Sequence, residues 1–150
     1  SVFPVRHDRY GIPDFPRRPV VLEGADGTTI WEFPMTTKRL LGRNFPVAGG
    51  GWMRLLPGAL MRRALARENA AGSPTIVYLH PWELDPAQPR IEAAPRQARR
   101  RHYLNLARMQ ARLERLLTTF RYGTVSEVLA TLDPGACRTT WTPPARAGLS

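Results

Sequence analysis

Cysteine is almost absent from this chain of 150 residues, which contains only Cys137. A single cysteine excludes an internal disulfide and every metal site built on a Cys-x-x-Cys pair. Histidine is nearly as scarce: the three histidines stand at positions 7, 80 and 102, and none has the HxxxH or HExxH spacing of a zinc site. The sequence therefore shows no complete metal site, and we interpret Cys137 as an incidental small residue.

Long hydrophobic runs are missing as well. No segment approaches the roughly 20 apolar residues of a membrane helix, and no charged start followed by an apolar core marks a secretory signal. Hydrophobic residues still make up 43% of the chain, which is enough for one folded domain with a core. The opening "SVFPVRHDRY" has no initiator Met, so we expect that further sequence precedes it. We favour a cytoplasmic location, although a preceding segment can carry a signal or an anchor.

Lysine and acidic residues are few relative to arginine. The chain carries 22 Lys and Arg against 12 Asp and Glu, a net charge of +10, and Lys38 is its only lysine. Such an excess attracts nucleic acid, anionic membranes or acidic polymers. Abundant Arg together with Ala, Pro and Gly is also typical of a GC-rich genome, and we favour that explanation. The alternative is a small basic, non-catalytic module that binds nucleic acid or an anionic polysaccharide.

The first part of the chain is predicted to be an ordered loop or extended arm that leads into an edge strand. Residues 1–30 are rich in Pro, Arg and Asp, and the prolines at 13, 16 and 19 exclude a helix. "GADGT" (24–28) is a turn signal. The β-favouring "TIWEFPMTT" (29–37) contains Pro34, a residue that central strands avoid.

A helix followed by an apolar strand is predicted next. "PGALMRRALARENAAG" (57–72) repeats apolar side chains at helical spacing, with Pro57 in its first turn and Gly72 as its stop. "PTIVYL" (74–79) is a short β-branched and aromatic run. Because a helix, a turn and an apolar strand in this order build a parallel sheet, we expect an α/β fold.

The C-terminal part is predicted to be mainly helical. "DPAQPRIEAAPRQARRR" (85–101) has the composition of a Pro- and Arg-rich loop whose charges face solvent. Apolar positions at helical spacing predict an amphipathic helix over 105–120. Thr124 with Glu127 three residues later is a capping box that begins another short helix. We expect residues 133–150 to be a flexible tail.

The stretch "PTIVYLHPWELDP" (74–86) holds the main candidate for chemistry. It places His80 at the carboxyl end of the predicted strand, where reactive side chains gather in parallel α/β folds, and histidine exchanges protons near neutral pH. The alternative is a turn histidine bonded to a backbone carbonyl. Trp82 can stack on a sugar, whereas Glu83 and Asp85 can orient the imidazole, cap a helix or face solvent.

The glycine-rich "GGGW" (49–52) is the second candidate. It lacks the Lys-Ser/Thr ending of a phosphate-binding P-loop. Three successive glycines permit positive φ or a very close backbone approach, so we interpret the segment as a tight loop beside a ligand. Arg54, just beyond it, either contacts a substrate or pairs with a carboxylate.

A set of phrases in a fixed order resembles one enzyme family. The phrases are "SVFPVRHDRYGIPDFPRRP", "WEFPMTT", "PVAGGGWMRLLP", "VYLHPWELDPAQPRI" and "RHYLNLARMQARLERLLTTFRYGTVSEVL". Together they closely resemble the C-terminal half of polysaccharide deacetylases of the carbohydrate esterase family 4 type. The similar subgroup is bacterial and is associated with exosortase and exopolysaccharide gene clusters. The resemblance covers residues 1–132, which we assign to the C-terminal portion of such a domain.

This resemblance implies a deformed (β/α) barrel and a hydrolase that removes N-acetyl or O-acetyl groups from a glycan in exopolysaccharide biosynthesis. In that family one Asp and two His hold a divalent metal, commonly zinc, and a second Asp acts as the base. "YLHP" resembles the family's late Leu-x-His motif. The resemblance thus implies that His80 protonates the leaving amine and that Leu79 packs against the acetyl methyl.

The family's paired aspartates and its histidine metal motif have no counterpart in this sequence. We expect the metal ligands to lie outside this chain, so that these 150 residues alone neither hold the metal nor catalyse. The implied partners are an acetylated polysaccharide and the N-terminal half of the same domain, with no nucleic acid and no membrane segment. The candidates for the substrate cleft, besides Leu79, are Trp82, Tyr10, Gly50, Gly51, Trp52 and Arg54.

Overall fold

The computed structural model describes residues 1–7, 10–139 and 141, and over these residues the chain is a mixed α/β protein. Its strands are β1 (Val20–Glu23), β2 (Thr29–Glu32), β3 (Thr37–Leu40) and β4 (Arg43–Pro46). Its helices are α1 (Gly50–Leu55), α2 (Gly58–Ala70), α3 (Arg96–Tyr103), α4 (Met109–Thr119) and α5 (Val125–Ala130), with 3-10 turns at Pro81–Leu84 and Leu106–Arg108. In this described part, no helix has the length and apolar character needed to span a membrane.

Two antiparallel hairpins make up the sheets of the described residues. β1 pairs with β2 from Val20↔Glu32 onward, and the predicted turn at 24–28 joins them. β3 pairs with β4 through Leu41 and Gly42, whose φ angles are +48° and +74°. Positive φ at both central residues suits a two-residue hairpin turn. The sequence reasoning misses this second hairpin because Leu-Gly is not one of the usual turn signals.

The predicted strand "PTIVYL" is extended chain rather than a member of a sheet. The Ile76 N–H donates to Thr36 Oγ1 at 2.8 Å, and the same hydroxyl donates to the Ile76 carbonyl at 2.9 Å. Tyr78 forms an isolated parallel bridge with Gly49. No described strand lies along the segment, and an apolar run becomes a strand only where a partner pairs with it. The strand prediction is therefore wrong here, and the described residues show an α/β composition without a barrel.

The main core lies where α1, α2 and α4 meet. Its members are each at most 1% exposed: Ala48, Met53, Met61, Leu65, Met109 and Leu116. Burying one Met or Leu side chain contributes about 1.5–3 kcal/mol. The helix predicted over 57–72 is confirmed as α2, and the one over 105–120 is confirmed as α4 with its preceding 3-10 turn. Both follow from apolar side chains that recur at helical spacing.

The local rules succeed at α5 and fail at α3. Thr124 Oγ1 accepts the Glu127 N–H at 3.2 Å, and the Glu127 carboxylate accepts the Thr124 N–H at 2.7 Å, so the capping box is confirmed. The loop predicted over 85–101 is wrong from residue 96 onward, where α3 begins. Pro95 stands just before α3, and Arg, Gln and Ala favour helices, so the prolines mark only the preceding loop.

The N-terminal segment is an ordered extended arm within the described residues, with Val5 and Phe15 buried. Arg17 binds it to the hairpin and to α2, because its guanidinium donates to the Thr37 carbonyl at 2.7 Å and pairs with Glu68 at 3.0 Å. Burial raises the pKa of Glu68, but the hydrogen bond from Lys38 and the charge of Arg17 outweigh it and hold that pKa below its usual value.

The segment after α5 returns to the first hairpin. The Val21 N–H donates to the Cys137 carbonyl at 2.9 Å, and the rings of Phe15 and Trp141 meet edge to face at 4.7 Å. Residue 140 and residues 142–150 lie outside the described residues. The flexible tail over 133–150 stays a prediction.

Candidate functional site

His80 ends the extended segment and precedes the Pro81–Leu84 turn. Its backbone N–H donates to the Glu83 carboxylate at 2.9 Å, and the Glu83 N–H donates to the His80 carbonyl at 2.9 Å. These two bonds hold the backbone of His80, and the residue is exposed to solvent. The turn therefore presents an accessible imidazole on a residue whose backbone N–H and carbonyl are both hydrogen-bonded.

Glu83 and Arg54 form a buried ion pair beneath this turn. Arg54 Nε lies 3.2 Å from Glu83 Oε1, and the two side chains are only 7% and 2% exposed. The guanidinium of Arg54 also donates to the carbonyls of Arg101, at 2.8 Å, and His102. Arg54 thus joins α1, the Pro81–Leu84 turn and the end of α3. The sequence left two roles open for Arg54, and this geometry favours pairing with a carboxylate over contact with a substrate.

The glycines at 49–51 have a structural explanation in the same ion pair. They begin helix α1 instead of forming a loop beside a ligand, and Gly49 has a φ of −144°, which any residue adopts. Gly50 is buried, and a Cβ at its position would overlap the Glu83 carboxylate. The close approach inferred from the sequence is real, but it is made to a protein side chain.

Replacing Gly50 with alanine is expected to destabilise the fold by about 1–3 kcal/mol, the usual range for an overpacked buried site. The Glu83 carboxylate cannot move away without breaking its hydrogen bonds to Arg54 and to the His80 N–H. Gly51→Ala is the matched control, since Gly51 is exposed and its new Cβ would lie 3.9 Å from Arg54 Nη2.

Within a helix alanine is favoured over glycine by about 1 kcal/mol, so Gly51→Ala should leave the stability unchanged or raise it. Urea unfolding followed by circular dichroism measures both variants. Equal midpoints for Gly50→Ala and Gly51→Ala would contradict the assigned role of Gly50.

A row of rings extends from His80 across the turn to the end of α3. We call Tyr78, His80, Trp82, His102 and Tyr103 the aromatic row. His80 and Trp82 are near parallel with centroids 6.0 Å apart, and Trp82 stacks on His102 at 4.3 Å. His102 meets Tyr103 edge to face at 4.7 Å. Such a surface of ring faces and edges, with polar atoms along its margin, suits the apolar faces of sugars.

Hydrogen bonds fix the central rings of the row. His102 Nε2 lies 2.9 Å from Gln88 Oε1, and Gln88 Nε2 donates to the Trp82 carbonyl at 2.8 Å. The Arg54 guanidinium carbon lies 5.0 Å from the centre of the Trp82 ring. The sequence analysis gives His102 and Gln88 no role, because neither has the spacing of a metal or catalytic motif; only the return of α3 to the turn brings them to Trp82.

Tyr10 and Trp52 lie elsewhere, in a cleft of about 1060 Å³ between the N-terminal segment and the β3–β4 hairpin. Burial raises the pKa of Tyr78, and the nearby Tyr10 and the Glu83 charge raise it further. The cleft adjoins the aromatic row, because Trp52 lines the cleft from α1 and Gly49, just before that helix, bridges to Tyr78. Leu79 is half-buried, and in the sequence it separates Tyr78 from His80, two members of the aromatic row.

No group of three or more His, Cys, Asp or Glu side chains that could hold a metal ion exists among the described residues. The available histidines do not converge, since the Trp82 ring stacks with both His80 and His102. The Glu83 carboxylate, which accepts the His80 N–H, is already paired with Arg54. The residues of this part of the chain therefore do not fit the divalent metal that the resemblance implies.

Comparison with known proteins gives one family. Residues 1–130 match the model of the family described as "Domain of unknown function (DUF3473)". The search of curated proteins returns no match. The search of solved structures returns none either.

Proposed function

The chain belongs to the DUF3473 family, a domain of unknown function, and from that premise we propose that it is the C-terminal portion of a metal-dependent polysaccharide deacetylase. The observation that carries the proposal is the exposed His80, held on a clamped turn at one end of a row of rings. An accessible proton donor beside a sugar-stacking surface is what deacetylation of a glycan requires from this part of an enzyme.

The proposed role of His80 is that of general acid. As the bond between the acetyl carbon and the nitrogen breaks, its electron pair goes to the nitrogen, and the His80 imidazolium gives that nitrogen a proton. The sugar then leaves as a neutral amine. A positioned acid of this kind typically accelerates a reaction by about 10²–10⁴-fold. The Glu83 carboxylate accepts a hydrogen bond from the backbone N–H of His80. This bond fixes the backbone that carries the imidazole and does not use the imidazole nitrogens.

The neighbouring side chains are proposed to hold the substrate. Leu79 precedes His80 and packs against the acetyl methyl, whereas Trp82 and Tyr10 stack on sugar units on either side of the reacting group. Trp52 lines the adjoining cleft. Gly50 and Arg54, which are buried around Glu83, act by positioning the turn, and Gly51 lies exposed at the start of α1.

A divalent metal, zinc in the family that the chain resembles, would supply Lewis acidity toward the acetyl carbonyl and toward water. The described residues do not fit it, so we place its ligands and the base on sequence outside these 150 residues. We likewise propose that both hairpins and the extended segment 74–79 belong to a deformed (β/α) barrel that such sequence completes.

The test is acetate release from acetylated oligosaccharides by the natural full-length protein. We expect the metal-loaded protein to release acetate and to lose this activity when a chelator removes the metal. The same chelator should leave the circular dichroism of separately prepared residues 1–150 unchanged. A full-length protein that contains its metal and yet releases no acetate from any N-acetylated or O-acetylated glycan in a broad panel would refute the proposal. Acetate release by residues 1–150 alone would refute the placement of the metal ligands.

A further inference from the structure

The cleft beside the aromatic row is strongly basic. Its walls come from the N-terminal segment, the β3–β4 hairpin and Trp52 of α1. Its described lining residues include one carboxylate, Asp14, and five arginines: Arg6, Arg17, Arg18, Arg39 and Arg43. At about 1060 Å³ the cleft is as large as the upper range of pockets that hold drug-sized ligands, so it has room for an oligosaccharide.

Within the described part of the chain, most of these arginines make no ion pair with a carboxylate. Arg17 is engaged by Glu68 at 3.0 Å, and Arg18 donates to the Ala71 carbonyl at 3.4 Å. Arg6, Arg39 and Arg43 make no ion pair with any residue that the structure describes. Arg39 and Arg43 are exposed on the two strands of one hairpin, and both line the cleft.

The cleft also offers ring surfaces next to these cations. Tyr10 is 53% exposed and Phe45 is 44% exposed, and Trp52 is half-buried. Guanidinium groups match carboxylates in planar, two-pronged hydrogen bonds, and aromatic rings stack on the apolar faces of sugars. A ligand that satisfies both features carries carboxylates on a chain of sugar rings.

We propose that this cleft binds an acidic glycan, one whose sugar units carry carboxylate groups, and that the substrate of the site is therefore an anionic polysaccharide. The choice of a glycan over a nucleic acid rests on the proposed deacetylase function, because the cleft adjoins the aromatic row at α1, where Trp52 lines the cleft and Gly49 bridges to Tyr78. The anionic character rests on the arginines alone, so the two parts of the proposal fail separately.

Binding by residues 1–150 is measured directly, by isothermal titration with three probes of similar length. The probes are an oligogalacturonate, a neutral N-acetylglucosamine oligomer and a single-stranded oligo-dT. We expect the oligogalacturonate to bind most tightly. Its affinity should fall as the salt concentration rises, as it does for other polyanions whose binding releases counterions.

The variant Arg39→Ala/Arg43→Ala should weaken oligogalacturonate binding about tenfold for each arginine removed, since hydrogen bonds to charged groups contribute on that scale. The control is Arg63→Ala/Arg115→Ala, which removes the same charge from exposed positions on α2 and α4, outside the cleft. Equal weakening in both variants would show a diffuse effect of net charge and overturn the site.

The other outcomes also decide the question. Equal or tighter binding of the neutral oligomer would overturn the anionic substrate class and leave the proposed deacetylase in place. Tighter binding of oligo-dT than of either glycan would overturn the glycan and support the nucleic-acid alternative. Binding of none of the probes would overturn the cleft as a binding site, while acetate release by the full-length protein would still decide the proposed function.

Discussion

Replacing Glu83 with alanine is expected to destabilise the fold by about 3–5 kcal/mol, the usual cost of removing one partner from a buried ion pair. The variant would leave the guanidinium of Arg54 unpaired where its side chain is only 7% exposed. It would also remove the acceptor for the His80 N–H. Because stability in a domain of this size is itself only about 5–15 kcal/mol, this loss should be visible as partial unfolding at moderate temperature.

The matched control is Glu23→Ala. Glu23 also pairs with an arginine, Arg138 at 2.6 Å, but both side chains are more than half exposed. An exposed pair contributes at most about 1 kcal/mol, so the two variants compare the same chemistry at two burials. Urea unfolding monitored by tryptophan fluorescence measures both, and a Glu83→Ala cost no larger than that of Glu23→Ala would contradict the role assigned to the buried pair.

A double variant separates the buried charge from the packing. Replacing Arg54 with methionine in the Glu83→Ala background removes the unpaired cation, and apolar replacements of buried ion pairs are often tolerated. We expect the double variant to recover part of the stability that Glu83→Ala loses. No recovery would show that the cavity and the lost hydrogen bonds, rather than the unpaired guanidinium, cause the destabilisation.

Replacing His80 with alanine in the full-length enzyme is expected to lower kcat by about 10²–10⁴-fold while the metal content stays at its normal level. A general acid acts on the chemical step, so the loss should appear in kcat rather than in KM. Stability should be nearly unchanged, because the clamp from Glu83 uses the backbone N–H that alanine retains.

His102→Ala is the histidine control for that experiment. His102 stacks on Trp82 and its Nε2 is engaged with Gln88. We expect this variant to raise KM through loss of the ring surface and to keep the wild-type kcat. A His80→Ala enzyme with the wild-type kcat would refute His80 as the acid, and a loss of kcat of about 10²–10⁴-fold in His102→Ala instead would move that role to His102.

Local patterns were sufficient for several elements. The positions of α2 and α4 follow from apolar side chains at helical spacing, and α5 follows from the Thr124–Glu127 capping box. Each of these signals lies within one or two turns of chain, so it operates whatever surrounds the segment. The position of His80 at the end of an apolar run was also available from the sequence, as was the need for a close backbone approach at the glycines.

Other features required partners that are distant in sequence. "PTIVYL" has strand composition, yet it lies beside Thr36 and Gly49 without a strand to pair with. Residues 96–103 follow a run of prolines, yet they form α3 once Pro95 is passed. In both cases the composition described the side chains correctly, but the environment determined the backbone.

By itself the sequence determined α2, α4 and α5, the arginine excess, the absence of a cysteine-based metal site and the position of His80 at the end of an apolar run. Only the tertiary structure decided that Gly50 makes room for Glu83, that Arg54 is buried as its partner, and that the scattered arginines line one cleft. The physical reason is range. Helical spacing and capping act over a few residues, whereas a buried ion pair or a basic cleft exists only after folding brings together side chains from separate elements.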